Sequence, residues 1–372
     1  MAKRKKKAEL RQRFVDRDGE QHPADVKLWR DAAGRPLMPV MPAFDPAAID
    51  RDDHSLWRYR QLLPLEEDAQ PVRLGEGWTP LLPASLVGMD VRVKLEYLQA
   101  TGSYKDRGAA VLGAALAAAK ARSVVEDSSG NAGAALAAYM VRLNIPMSLF
   151  VPESAGNGIK VRQALACGAE VDLESKTREE ATQRAQDSLK GSTVYASHVY
   201  SPHFLAGTMT MAWEIWEQMG EVPDNLVVPV GHGLLLLGLH HGFCLLREAG
   251  LSEKTPRIFG VQARACAPVY HAFMRGAKET YPGPVQETIA HGLEIVDPPR
   301  GPEILAALRE SEGSMLNVSE SEIRRGMALA ANLGWFVEPS TAVAVAGVVK
   351  LDKQIEAGET VVLPLTGTGL KL

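Results

Sequence analysis

The segment TGSYKDRGAA at residues 101 to 110 sets Lys105 between a Thr-Gly-Ser turn and a run of small residues suited to close packing. A flexible, strongly hydrated ammonium ordinarily keeps to open surface. At the start of a helix, just after the strand-like VRVKLEYL, it reads as an amine placed to react or to bind. Further strand ends carry comparable groups. SSGNAG at 128 to 133 opens a helix with Ser129, Asn131 and unsatisfied backbone N–H groups. PVGHGLLLLG at 229 to 238 joins glycines that permit close backbone approach to a helix whose positive end favours an anion, most often a phosphate. LTGTG at 365 to 369 brings two hydroxyls and two glycines to a strand end near the C-terminus.

Each feature is weak alone, since Gly-rich turns are common punctuation and GHGLLLLG reads equally well as structure. That stretch also departs from the dinucleotide fingerprint, because Leu236 stands where GxGxxG requires glycine, and no GKS or GKT follows to make a Walker loop. A dehydrogenase is therefore disfavoured. Together, a lysine, an Asn loop one strand-helix unit later, a phosphate cradle and a terminal hydroxyl suit a ligand with an aldehyde, a phenolic oxygen, a phosphate and a ring nitrogen. Pyridoxal 5'-phosphate carries all four.

The elements that must position these groups follow from hydrophobic period. From about residue 91, strand-like VRVKLEYL, SVVEDSS, MSLFVPE, AEVDLE and TVYAS alternate with helix-like segments, and NLVVPVG, RIFGVQA and TVVLPLTG continue the alternation after HFLAGTMTMAWEIWEQMG. The expected class is α/β: two open, mostly parallel twisted sheets with helices on both faces, and the cofactor in the cleft between the lobes, beyond the strands' carboxyl ends. The expected division is an N-terminal extension over 1–60, a large cofactor domain from 61–91 with 207–372, and a small mobile domain over 92–206.

Composition agrees. The chain has 372 residues, 46% apolar and 23% charged, enough for a large core, and its net charge of −4 gives no reason to expect nucleic acid or membrane as partner. The basic run at 3 to 13 reads as a solvated terminus. No apolar stretch reaches the roughly 18 residues that span a bilayer, so a soluble, cytoplasmic protein is expected. Cys167, Cys244 and Cys266 are too far apart for a CxxC pair and read as free thiols in a reducing compartment.

Over Trp57 to Leu372 the chain resembles fold-type II pyridoxal-phosphate enzymes of the threonine synthase-like group, within the tryptophan synthase β-like superfamily. The resemblance is carried, in the family's order, by WRYRQLLPLEEDAQPVRLGEGWTPLL, TGSYKDRG, SSGNAGAALAAY, PVGHG, IAHGL, EPSTAVAVAG and LTGTGLK. It implies that Lys105 holds the cofactor as a Schiff base, that Asn131 contacts the phenolic oxygen, and that Thr366 contacts the pyridine nitrogen. It implies phosphate binding by Gly231, His232, Gly233, Leu234 and Leu235, and substrate binding by Ser129, Ala132, Gly133 and Ser201. The implied enzyme is a homodimeric lyase that performs elimination, or elimination followed by replacement, on an amino acid. A neutral Thr366 would leave the ring nitrogen largely unprotonated, which suits elimination better than transamination.

The chain also departs from the family. His232, Leu234 and Leu235 stand where Asn and small residues are usual in the cradle, and His232 is read as packing behind the main-chain groups. SPHFLAGTMT replaces a segment like NPxRxEGQKT, so Phe204, Ala206, Thr208 and Met209 take the places of Arg, Glu, Gln and Lys on the side where the substrate's distal group is expected. O-phosphohomoserine would lose its charged partners there, unless His232 or His203 supplies positive charge. The N-terminal segment has the length of a zinc ribbon but no cysteine, and His22 is its one soft or borderline ligand, so a metal-free ribbon without a zinc site is expected. Three alternatives stay open: a lyase or β-replacement enzyme on a less anionic amino acid, threonine synthase itself, and a non-catalytic paralogue that keeps the fold as a binding module.

Overall fold

The computed structural model describes residues 13 to 351 and 354 to 372; the basic run at 3 to 13 lies, Arg13 apart, outside the described residues. Strands β1 (Arg13–Val15), β2 (Gln21–Pro23) and β3 (Met38–Pro39) make an antiparallel sheet in the order β2-β1-β3. Its turns are built on carboxylates. Asp16 Oδ1 accepts from the N–H groups of Asp18 at 3.0 Å and Glu20 at 2.9 Å, while Asp31 accepts from Arg35 N at 2.8 Å and Arg35 Nε at 2.6 Å. The same guanidinium reaches Asp18 Oδ2 at 2.5 Å, so a permanent cation joins the two turns. Asp16, Glu20 and His22 also bring one ligand atom each within 4.8 Å of one another, with Asp16 Oδ2 and His22 Nε2 hydrogen bonded at 2.9 Å.

Next come β4 (Leu81–Leu86) and β5 (Met89–Lys94), then α1 (Lys105–Ala118), β6 (Ser123–Glu126), α2 (Asn131–Arg142), β7 (Met147–Pro152), α3 (Ile159–Ala166), β8 (Glu170–Ser175), α4 (Arg178–Asp187), β9 (Thr193–Tyr195) and α5 (Pro202–Met219). After these follow β10 (Asn225–Pro229), α6 (Leu234–Glu248), β11 (Arg257–Ala263), α7 (Pro268–Met274), α8 (Gly301–Glu310), β12 (Ser314–Val318), α9 (Glu320–Asn332), α10 (Pro339–Lys350) and β13 (Val361–Pro364). No helix among the described residues is long and apolar enough to cross a membrane.

The described residues up to Gly77, with Gln99–Thr208, form one compact unit, and Trp78–Leu98 with Met209–Leu372 form a second. The first unit holds the parallel sheet β8-β7-β6-β9. Two glycines let α1 and the start of α5 pack closely: a Cβ on Gly108 would lie 2.1 Å from the Phe204 ring, and one on Gly207 would lie 2.2 Å from Arg107 O. Residues 61 to 77, expected with the larger domain, cluster instead with this unit. The buried carboxylate of Glu76 explains it, accepting from Trp57 Nε1 at 2.5 Å, Leu74 N at 2.7 Å and the Tyr139 hydroxyl on α2 at 2.9 Å.

The second unit holds the six-stranded sheet β12-β11-β10-β13-β5-β4, parallel except for the β4–β5 pair. Val227, Phe259, Val261, Val343, Val361 and Leu363 belong to one buried cluster in it. That fits strands covered on both faces, which read as continuous apolar runs. The strands that hydrophobic period alone leaves out, β4 and β12, are the two edges, where Pro83, Ser314 and Asn317 interrupt the apolar pattern.

Candidate active site

Lys105 is the first residue of α1, and no side chain caps that helix. The preceding turn is braced from within the helix: Asp106 Oδ2 accepts from Thr101 N at 2.8 Å, and Oδ1 accepts from the Thr101 hydroxyl. Lys105 is half-buried, its Nζ 4.7 Å from the Tyr104 ring centroid and 5.8 Å from that of Phe204. Beside it in sequence, the fully buried Ser103 Oγ has no hydrogen-bond partner among the described residues. Lys94 in the second unit shows what a structural lysine looks like. Its Nζ is held by Glu214 Oε1 at 2.5 Å, Thr79 O at 2.6 Å and Gln218 Oε1 at 2.7 Å.

The loop after β6 leads into α2 through Gly130, an extended N-cap with no side-chain hydrogen bond to the first turn. Gly133 is required there, because a Cβ would stand 2.1 Å from Ser128 O. Ser129 and Asn131 are half-buried; Ala132 and Gly133 are buried. Just upstream lies a pair of acids whose role period-based reading missed, although two carboxylates at a strand end before a Gly-containing loop were visible in SVVEDSS. Glu126 is fully buried, with Oε1 2.7 Å from His198 Nδ1, and Asp127 accepts from the Tyr195 hydroxyl at 3.0 Å and from that of Thr182. Burial pushes both carboxyls above their ordinary range; for Glu126 the Asp127 charge adds to this, while the positive charge of Lys105 acts in the opposite sense.

At the start of α5, Ser201 Oγ accepts from Phe204 N at 3.3 Å, which makes it a helix cap. Phe204, Ala206 and Thr208 are fully buried and Met209 is 1% exposed. These four positions do not share a face as expected: at about 100° per residue, Phe204 and Thr208 lie on one side of the helix and Ala206 on the other. Thr208 donates to Phe204 O at 3.1 Å. His203 supplies no positive charge at neutral pH. It is buried, bonded to the backbone of Pro64 and 5.3 Å edge-on from the Phe14 ring, and desolvation lowers its pKa to about 4.

That burial predicts an acid limb. The unfolded chain takes up this proton near 6.5, so the stability His203 contributes is full above that pH and is lost as pH falls through about 4. In urea titrations the protein should lose on the order of 2 kcal/mol more than His203→Gln between pH 7 and pH 4. Parallel curves for the two proteins would refute it.

In the second unit, Gly233 caps α6 in the left-handed region at φ 82°, again with no side-chain cap, and its absent Cβ would meet Ile304 Cδ1 at 2.2 Å. Gly231 is less crowded, with Gly292 O 3.1 Å from where a Cβ would be. The Leu234 and Leu235 side chains are buried, so the N–H groups are what this turn offers a ligand, and His232 is half-buried. After β13, Thr366 is 4% exposed, with its Oγ1 2.8 Å from Thr341 Oγ1. In the first unit an amine at a helix start follows a hydroxyl without a hydrogen-bond partner among the described residues, and in the second a glycine turn opens a helix and a buried neutral hydroxyl follows a strand. Each is a kind of group that pyridoxal phosphate can use.

Residues 72 to 367 match the family model described as pyridoxal-phosphate dependent enzyme. The chain belongs to that family. Among its relatives, the threonine synthase of Synechocystis sp. is 35% identical over 348 residues, covering 90% of this chain and 89% of that protein. The threonine synthase of Methanocaldococcus jannaschii is 34% identical, with 85% of this chain and 80% of that protein covered. The crystal structure of a threonine deaminase from T.th. superposes with a TM-score of 0.67 at 27% identity, over 78% of this chain and 92% of that one. The fold is thus that of the fold-type II enzymes, the cofactor is pyridoxal 5'-phosphate, and the chain is a threonine synthase-like lyase.

Proposed function

We propose that the enzyme carries out elimination, alone or followed by replacement, on a small amino acid whose leaving group is not strongly anionic, such as serine, threonine or a cysteine derivative. The observation that carries this is Phe204. Its ring fills the space against Gly108 within reach of Lys105 Nζ, at the position where the family resemblance calls for arginine, and the neighbouring His203 is neutral.

Pyridoxal phosphate, when bound, supplies an electron sink that makes the Cα proton of an amino-acid substrate removable. Lys105 Nζ would tether it and, as a free amine, would serve as the base for the Cα proton. The N–H groups at Asn131, Ala132 and Gly133, with Ser129, orient the substrate carboxylate at the start of α2. The Asn131 amide would hold the phenolic oxygen, the main chain of Gly231 to Leu235 would hold the phosphate, and Thr366 would offer a neutral hydroxyl to the ring nitrogen. Ser201 acts in this scheme as the cap that sets the direction of α5. A homodimer in the cytoplasm is part of the reading; the three free thiols suit a reducing compartment.

The relatives named threonine synthase favour a second reading, in which O-phosphohomoserine is the substrate. A panel separates the two: purified holoenzyme with phosphohomoserine, threonine, serine, O-acetylserine, phosphoserine and cysteine, followed by cofactor spectrum and by release of keto acid, ammonia or threonine. Two charge-assisted donors lost at about 1.5 to 3 kcal/mol each correspond to a factor on the order of 10² to 10⁴ against the phosphosubstrate. Efficient threonine formation from phosphohomoserine would overturn the first reading.

A further inference from the structure

We propose that Thr341 is a positioning residue that makes the Thr366 hydroxyl a donor toward the cofactor and so keeps the ring nitrogen unprotonated. The inference rests on the reading of Thr366 as the ring-nitrogen contact and adds the residue that orients it. Thr341 stands in the first turn of α10 and is fully buried. Its Oγ1 accepts from Gly367 N at 2.9 Å. Its single proton has two acceptors in reach, Thr366 Oγ1 at 2.8 Å and Gly367 O at 3.2 Å.

These contacts allow two proton arrangements. In the first, Thr341 donates to Thr366 over a distance normal for O–H···O, and the Thr366 proton remains for an acceptor on the cofactor. In the second, Thr366 donates to Thr341, whose own proton must use the longer contact to Gly367 O, an oxygen that already accepts from Glu338 N at 3.1 Å. Thr366 then offers only lone pairs and requires a protonated ring. The first arrangement makes the better hydrogen bond and puts no added positive charge among buried groups. The charged group beside this turn is Glu338, whose carboxylate lies across Gly367: a Cβ there would be 2.3 Å from Oε1.

Apoenzyme loaded with pyridoxal phosphate carrying ¹⁵N in the ring gives a readout that does not depend on turnover. The wild-type nitrogen should resonate as unprotonated. In Thr341→Val the Thr366 hydroxyl loses the partner that orients it, so the nitrogen resonance should shift away from its wild-type position, and Thr341→Ser should restore it. A resonance that Thr341→Val leaves unmoved while the melting temperature falls would reduce Thr341 to a structural role. A resonance that moves in Glu338→Gln but not in Thr341→Val would assign control to the Glu338 charge and overturn the proposal. A protonated wild-type nitrogen, with borohydride still fixing the cofactor on Lys105, would overturn this inference and leave the site reading standing; no fixation on Lys105 would overturn both.

Discussion

Lys105→Ala is expected to abolish covalent fixation of the cofactor and to leave the fold intact. Borohydride reduction of the holoenzyme should place the label on the peptide that contains Lys105, and the variant should carry none. Turnover should fall by on the order of 10² to 10⁴ from loss of the base alone, and further because the tether is gone. The expectation is sharp because the buried lysine among the described residues is accounted for. Lys94 is fully buried and bonded to Glu214, Gln218 and the Thr79 carbonyl, so it offers no reactive amine. Lys105 lies at a helix start with its ammonium over aromatic rings, where alanine costs the helix little. Label recovered on any other lysine, with Lys105 unmodified, would end the assignment.

Gly233→Asp is expected to weaken cofactor binding by at least about 10²-fold. Three effects act in the same direction: a non-glycine residue at φ 82° costs about 1–2 kcal/mol, the new Cβ runs into Ile304, and a carboxylate is set beside a phosphate. Gly233→Ala separates the first two from the third and should fall between Asp and the wild type in apoenzyme reconstitution titrations. His232→Ala should change retention by no more than a few-fold, since main-chain N–H groups do not depend on that side chain. Equal losses in His232→Ala and Gly233→Asp would show that the imidazole itself holds the phosphate.

The proposed site can be read from the sequence because its chemistry is placed at strand ends, and strand ends are marked by local residue types. Lys105, the SSGN loop, the GHG turn and Thr366 each announce themselves by a polar or glycine residue closing an apolar run. The parallel sheets were legible for the same reason, since buried central strands such as Asn225–Pro229 and Val361–Pro364 read as short apolar runs between helical periods. The edge strands β4 and β12 escaped, because an edge strand tolerates the Pro and polar residues that period-based reading takes as interruptions.

The sequence by itself determined the residue types at the site, the order of strands and helices, and the absence of Arg and Lys at positions 204 and 209. Only the tertiary structure decided how protons and charges are held. That His203 is neutral follows from its burial near Phe14 and Pro64, that Lys94 is structural follows from a carboxylate 120 residues away, and that Thr366 has a hydroxyl partner follows from a helix 25 residues upstream. The physical reason is common to all three. A residue's period and type are set by its neighbours in the chain, whereas its protonation and hydrogen-bond direction are set by desolvation and by partners that only folding brings within about 3 Å.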